Sequence, residues 1–158
     1  MDVKEFLRSL SAFDRLDDRD LDRVVKHAKV KNVPGSQLID IQGEPSNRFY
    51  ILVSGRLGVV LDLDFGVAKR SYLVTSVGPG EMFAWSGMVG NPTYTAGGKT
   101  LTDCTMLEFD AAKLRGLFEE DARLGYAVMK AVAQTIASRL RHMQLQLVQQ
   151  YAMSESEE

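Results

Sequence analysis

The spacing of apolar residues changes period along the chain. From Val3 to Val25 it is helical: Val3, Phe6, Leu7 and Leu10 share one face, and Leu16, Leu21, Val24 and Val25 share another. Asp17 and Asp18 stand where they cap the second segment and favour its positive end. From Lys31 the period is two, with Val33, Leu38, Ile39 and Ile41 interrupted by Pro34-Gly35 and then by Gly43-Glu44-Pro45. Phe49 to Val53 is a strong strand, and Ser54-Gly55-Arg56 turns it into Leu57 to Leu61. Asp62 to Gly66 reverses the chain, Lys69 to Val77 runs back, and Tyr94 to Thr100 and Thr102 to Phe109 complete the set. Gly43, Gly55 and Gly66 fall at reversals that ask for positive φ. Roughly seven or eight short strands with glycine turns predict a mainly β protein, an antiparallel β-roll of jelly-roll type with helices before and after it.

Past Phe109 the helical period returns. Asp110 caps Ala111 to Phe118, and a long helix begins at Asp121. In it Ala122, Tyr126, Met129, Ala133, Ile136, Leu140, Met143, Leu147 and Gln150 recur in steps of four and three, the seam of a heptad repeat. Four heptads make a rod of about 40 Å, more stripe than a domain of this size covers. The first two turns are expected to pack on the chain's own sheet and the rest to pair two copies into a homodimer. The division is then residues 1–120 for the roll and its N-terminal helices, 121–151 for the long helix, and 152–158 for an acidic, disordered tail.

Composition narrows the partners. The 158 residues are 45% hydrophobic and 25% charged, as in a soluble globular protein. No apolar run reaches the ~18 residues of a membrane span, and the N-terminus lacks a signal-peptide layout, so a cytoplasmic location is expected. A net charge of −2 without a basic cluster argues against nucleic acid. Direct DNA binding is not expected, the heptads being followed here by too few residues for a recognition helix. An enzyme is not expected. The two histidines, His27 and His142, lie on helical segments rather than on adjacent strands as a cupin metal site requires. The single cysteine, Cys104, reads as a buried structural thiol, with neither a catalytic histidine nor a haem partner indicated.

The stretch from Val77 to Ala96 departs from the sheet pattern. A Gly-Pro-Gly turn, a short apolar run with the only tryptophan and a Gly-Asn-Pro break precede the strand opening at Tyr94. This predicts a loop with one helical turn, whose first N–H groups point outward.

Gly43-Glu44-Pro45-Ser46-Asn47-Arg48-Phe49-Tyr50-Ile51-Leu52-Val53-Ser54-Gly55-Arg56-Leu57 resembles the first signature of cyclic-nucleotide-binding domains. Val77-Gly78-Pro79-Gly80-Glu81-Met82-Phe83 resembles the lead-in to that family's phosphate-binding cassette. The order of helices, strands, cassette and terminal helix covers nearly the whole chain. The resemblance implies a Gly-Glu pair after the Phe, with Glu for the ribose, and an Arg nine or ten residues on for the cyclic phosphate. In register these stations fall on Ala84-Trp85 and Tyr94-Thr95-Ala96, so both ligand-reading side chains are replaced. Taking Gly80-Glu81 as the pair instead strands Phe83 and lengthens the loop by four residues. Loss of a charge-assisted bond to phosphate removes roughly 1.5 to 3 kcal/mol. Nothing in the sequence aims Lys99 or Arg56 at the site in compensation.

The resemblance therefore implies a non-catalytic sensory or regulatory protein that does not take cyclic AMP in the usual way. Its ligand site is expected at Phe83, Ala84, Trp85, Ser86, Tyr94 and Thr95, with Met143 and Gln144 of the long helix closing over it. No cofactor is implied with certainty beyond a cyclic nucleotide or another small ligand, and a regulated protein partner is the natural receiver. Two alternatives stay open: a true cyclic-nucleotide receptor with substituted contacts, and a structural dimer whose two rings fill a vestigial pocket.

Overall fold

The computed structural model describes residues 1–155. Two antiparallel sheets form a roll, with strand orders β1-β8-β3-β6 and β2-β7-β4-β5. The strands are β1 (Ala28–Val33), β2 (Leu38–Asp40), β3 (Arg48–Ser54), β4 (Leu57–Asp64), β5 (Lys69–Val77), β6 (Met82–Phe83), β7 (Gly97–Thr100) and β8 (Cys104–Asp110). The helices are α1 (Val3–Ser9), α2 (Asp18–Val25), α3 (Ala111–Glu120) and α4 (Ala122–Glu155), with short 3-10 turns at Ser11–Phe13 and Trp85–Met88. The expected β-roll with flanking helices is the fold observed.

Alternation along β3 and β8 divides the interior into two cores. Phe49 and Ile51 of β3 and Leu107 and Phe109 of β8 face the helices, joining Leu7, Phe13, Leu21, Leu114, Leu124, Val128 and Val132. Tyr50, Leu52, Met106 and Cys104 point the other way, into the roll, with Leu57, Val77 and Phe83. One strand pair thus serves both cores because successive side chains leave opposite faces. The reversals at Gly43, Gly55 and Gly66 have φ of 87°, 92° and 79°, as their positions require. At Gly55 a methyl group would also stand 2.2 Å from the Asp103 carbonyl oxygen. Cys104 is buried and its thiol donates to the Arg56 carbonyl.

The caps read from sequence are formed. Asp17 accepts from the Asp20 amide at 2.9 Å within a reciprocal capping box, and Asp110 accepts from the Lys113 amide at 3.0 Å. Asp121 accepts from the Leu124 amide at 3.1 Å and is paired with Arg23 of α2, while Arg123 reaches the buried Asp20 at 2.7 Å. These contacts fix the start of α4 against α2.

α4 refines the expected packing. Its first turns lie on α3 and the Ser11–Phe13 turn, through Leu124, Val128, Ala131 and Val132, in the core that also holds Phe49, Ile51, Leu107 and Phe109 of the sheet. The heptad members Ala122, Tyr126 and Ala133 are exposed on a neighbouring face. The helix also outlasts its expected end: Ala152 to Glu155, assigned from sequence to a disordered tail, are helical. The remaining tail residues, 156–158, lie outside the described ones. With 34 residues α4 is about 51 Å long, and from Arg141 to Met153 every residue is exposed. Among the described residues no helix is long and apolar enough to cross a membrane.

Candidate functional site

After β5 the chain turns through Gly78-Pro79-Gly80 and makes the two-residue strand β6 against Tyr50 and Ile51 of β3. Phe83 is buried there, stacked on Tyr50 with ring centroids 4.7 Å apart and planes 7° from parallel. The next residue, Ala84, has φ 56° and ψ 37°, and this left-handed step starts the 3-10 turn Trp85–Met88. A side chain in that region is held against steric preference. The turn is pressed close to the β2–β3 connection: a methyl group on Gly87 would stand 2.2 Å from the Ser46 carbonyl oxygen. Arg115 of α3 donates to the Gly87 carbonyl and fastens it from the other side.

Across the loop, residues 93 and 94 pair with the Gly43–Pro45 turn instead of continuing β7. Tyr94 accepts from the Gly43 amide and donates to the Glu44 carbonyl, both through its backbone at 2.9 Å, and Thr93 bridges Pro45. Strand β7 therefore opens at Gly97, three residues after the expected Tyr94. The phenol of Tyr94 is buried and its oxygen accepts from the Arg48 amide at 3.0 Å. Ser86, also buried, accepts from the Thr95 amide at 3.4 Å and so ties the 3-10 turn to the opposite side of the loop.

Between these pieces and α4 lies a cavity of about 320 Å³. Its wall is mainly apolar, with Leu57, Val59 and Leu61 of β4 facing Ile136, Leu140 and Met143 of α4. Of the site residues expected from sequence, Phe83, Ala84, Trp85, Ser86, Tyr94, Thr95 and Met143 all border it. Gln144 does not: it is exposed on α4, outside the wall. The helix turns by about 100° per residue, so the neighbour of an inward Met143 faces away.

Two charged residues in the wall were not identified from sequence. Arg139 is half-buried on α4 and donates to the Met82 carbonyl; burial lowers its pKa, while Glu81 nearby raises it. It lies three residues after Ile136 and four before Met143, the helical spacing that marks a shared face. Asp40, at the end of β2, is 6% exposed. Its Oδ1 accepts from the Tyr50 hydroxyl at 3.3 Å. Desolvation raises its pKa from 3.8 to about 6, against the lowering effects of the Tyr94 and Tyr50 hydroxyls and of Arg48 and Lys31. Burial, with the Asp40 charge beside them, also raises the pKa of both Tyr50 and Tyr94. The neighbours of Asp40, Ile39 and Ile41, gave no sign of its burial, since alternation in a two-period strand assigns Asp40 to the polar face.

The other candidates fall elsewhere. Glu81 accepts from the Gly78 amide and borders a separate surface cavity with Arg56 and His142. Arg56 donates to the Ser76 hydroxyl at 3.2 Å, and Lys99 is exposed on β7. Neither Glu81, Arg56 nor Lys99 borders the cavity beneath α4. No group of three or more metal-ligating side chains occurs among the described residues.

This arrangement has known counterparts. A putative cyclic nucleotide-binding protein from Geobacter metallireducens superposes with a TM-score of 0.75 at 24% identity, covering 89% of this chain and 99% of that one. An uncharacterised NTE family protein of Mycobacterium tuberculosis is 24% identical over 135 residues, 85% of this chain but 22% of the relative. A CRP-like cAMP-activated global transcriptional regulator of the same organism is 21% identical over 134 residues, 85% of this chain and 58% of the regulator. The chain thus spans only about a fifth and somewhat over half of these two curated relatives. The family described as the cyclic nucleotide-binding domain matches residues 30–121, more than half of the sequence, from within β1 to the end of α3. With the fold and this match in agreement, the chain belongs to the cyclic nucleotide-binding domain family.

Proposed function

We propose that this chain is a non-catalytic regulatory module in which a small apolar or planar ligand, bound beneath α4, biases how two copies pair through that helix. One observation carries the reading: Ile136, Leu140 and Met143 belong at once to the cavity wall and to the heptad stripe. Whatever fills the cavity touches the side chains that a second copy would cover. A ligand shifts such an equilibrium only by its difference in affinity for the two helix arrangements, so shared residues are where that difference arises. Leu140, Leu147 and Val148 are 56%, 52% and 63% exposed in the single chain, which supports pairing.

Cyclic AMP in the usual mode is disfavoured on the register that the resemblance implies, which sets Trp85 and Tyr94 where the ribose- and phosphate-reading side chains would stand; both border the cavity. A thermal-shift and calorimetric screen tests this. Cyclic AMP, cyclic GMP and cyclic dinucleotides are expected to leave the melting temperature unchanged, whereas a ligand at a hundred times its Kd adds about 2.7 kcal/mol. Saturable heat with micromolar cyclic nucleotide would reject the proposal in favour of a second reading, a nucleotide receptor with substituted contacts. Arg139 favours that alternative, being a guanidinium in the cavity wall that could meet a phosphate.

A further inference from the structure

Two cavities meet along α4. The apolar one described above adjoins a polar one of about 590 Å³ between β5 and the later turns of the helix, and Arg139 and Thr75 border both. Ile136, Leu140 and Met143 border the first, Ser138, His142 and Leu145 the second, and Arg139 lies between these two helix faces. The sheet side changes likewise, from Leu57, Val59 and Val74 to Arg56 and Ser76.

Arg139 is poorly matched within the chain. Bonds to Asp22, Asp18 and Asp20 raise the pKa of Lys4, Arg8 and Arg123. Arg139 makes no ion pair within 4 Å among the described residues; it donates to a neutral acceptor, the Met82 carbonyl, and burial lowers its pKa. A half-buried guanidinium without a carboxylate is costly and calls for a counter-charge. No buried side-chain nitrogen lacks a partner among the described residues, so the N–H groups of Arg139 that Met82 leaves unengaged have access to open space. Arg56, exposed on the polar cavity, also has no ion pair and donates to the Ser76 hydroxyl at 3.2 Å. Glu81 is the carboxylate bordering this cavity, and it accepts from the Gly78 amide. Two guanidiniums against one carboxylate leave a balance that suits a monoanion better than a dianion.

We infer that the ligand is an amphipathic monocarboxylate, its planar apolar body beneath α4 and its carboxylate at Arg139 and Arg56, in the polar cavity that neither Trp85 nor Tyr94 borders. The inference rests on the apolar cavity being a ligand site, as proposed above, and goes further by naming the class and the residues that select it. A guanidinium fork matches a carboxylate through two parallel bonds, which a carbonyl cannot offer it.

Three naphthalenes that differ at the end of one side chain test it: 2-naphthylacetate, 2-naphthaleneethanol and 2-naphthaleneethylamine. Each is titrated at about pH 7, where a free carboxylic acid is ionised and an amine protonated, with cyclic AMP as a fourth titrant. The proteins are wild type, Arg139→Gln and Arg56→Gln, and NMR follows the body at the Trp85 indole and the head at the Arg139 Nε–H. In wild type the acid is expected to bind in the low millimolar range reached by molecules of this size, with the alcohol about tenfold weaker and the amine weaker still. Only the acid should move the Arg139 resonance. Arg139→Gln should bring the acid down about tenfold, to the affinity of the alcohol, and leave the alcohol unchanged. Arg56→Gln, at an exposed position that keeps the fold, should weaken the acid about threefold. Trp85 moving with equal affinity for acid and alcohol, with the amine leading, or with the acid unchanged in both variants keeps the ligand site and overturns the carboxylate. Cyclic AMP binding more tightly than the acid, and weakened in Arg139→Gln, makes the head a phosphodiester and rejects the inference in favour of the nucleotide receptor. Trp85 unmoved by every titrant overturns the ligand site and the inference together.

Discussion

The two halves of α4 are built from similar residues and sit in opposite surroundings. Before Arg139, Leu124, Val128, Ala131 and Val132 are covered by α3 and the N-terminal segment, and ion pairs at Asp20 and Asp121 hold the first turn. Beyond it, Leu140, Met143, Leu145, Leu147 and Val148 stand 44% to 63% exposed. The cavity lies under the junction. One apolar pattern thus differs along a single helix: the first half secures the fold, while the second leaves apolar surface that, on the reading proposed above, a second copy and a ligand share.

The contrast can be broken from either side. Leu147→Glu in the uncovered half should abolish the proposed homodimer, because each copy would lose a leucine buried in the seam and two carboxylates would meet; roughly 3 to 6 kcal/mol is at stake. Sedimentation should show the single-chain mass with an unaltered circular-dichroism spectrum. A persistent dimer would mean that the seam lies elsewhere. In the covered half Leu124→Ala should instead cost about 2 to 5 kcal/mol of unfolding free energy, read from the denaturant midpoint at a concentration where only single chains are present. If both variants merely weakened folding, the two halves would not be distinct.

The cavity sharpens the comparison. Folded Asp40 holds its proton up to about pH 6, whereas the unfolded chain releases it near 3.8. Between these values the folded chain binds more protons, so stability falls as pH rises and stays lower above pH 6. Relative to Asp40→Asn, wild type should lose on the order of 2 to 3 kcal/mol across that window. Parallel curves for the two proteins would show that Asp40 ionises as freely as on a surface. The smallest effect is expected at Ala84, where glycine relieves the left-handed strain at some cost in chain entropy. Ala84→Gly should raise stability by about 1 kcal/mol or less without altering the dimer.

Much of the fold was legible because its signals are local. The two-residue period of Phe49 to Val53, the capping aspartates 17 and 110, and the turn glycines 43, 55 and 66 each act within a few residues of themselves. Strand β6 was not, since two residues carry no period and Met82 and Phe83 pair only because β3 lies beside them. The start of β7 was misplaced for a similar reason: Tyr94 is drawn to Gly43 and Glu44, some fifty residues away in sequence. One side of the cavity wall, Phe83 to Ser86 with Tyr94 and Thr95, followed from the cassette, but Asp40 and Arg139 did not. A charged side chain reads as exposed until long-range packing buries it, and only the assembled roll brings β2 and α4 to one space.

The length of α4 past Arg139 has a mechanical consequence. Sixteen residues of α4 follow Arg139 up to Glu155, about 24 Å of helix. Tilting that rod by about 5° at its root carries the tip roughly 2 Å sideways, comparable to the helix displacements that switch subunit interfaces. On the reading proposed above, a ligand that nudges Met143 and Leu140 by a fraction of an ångström would work the short arm of a lever, and a partner at the far end would feel the motion magnified.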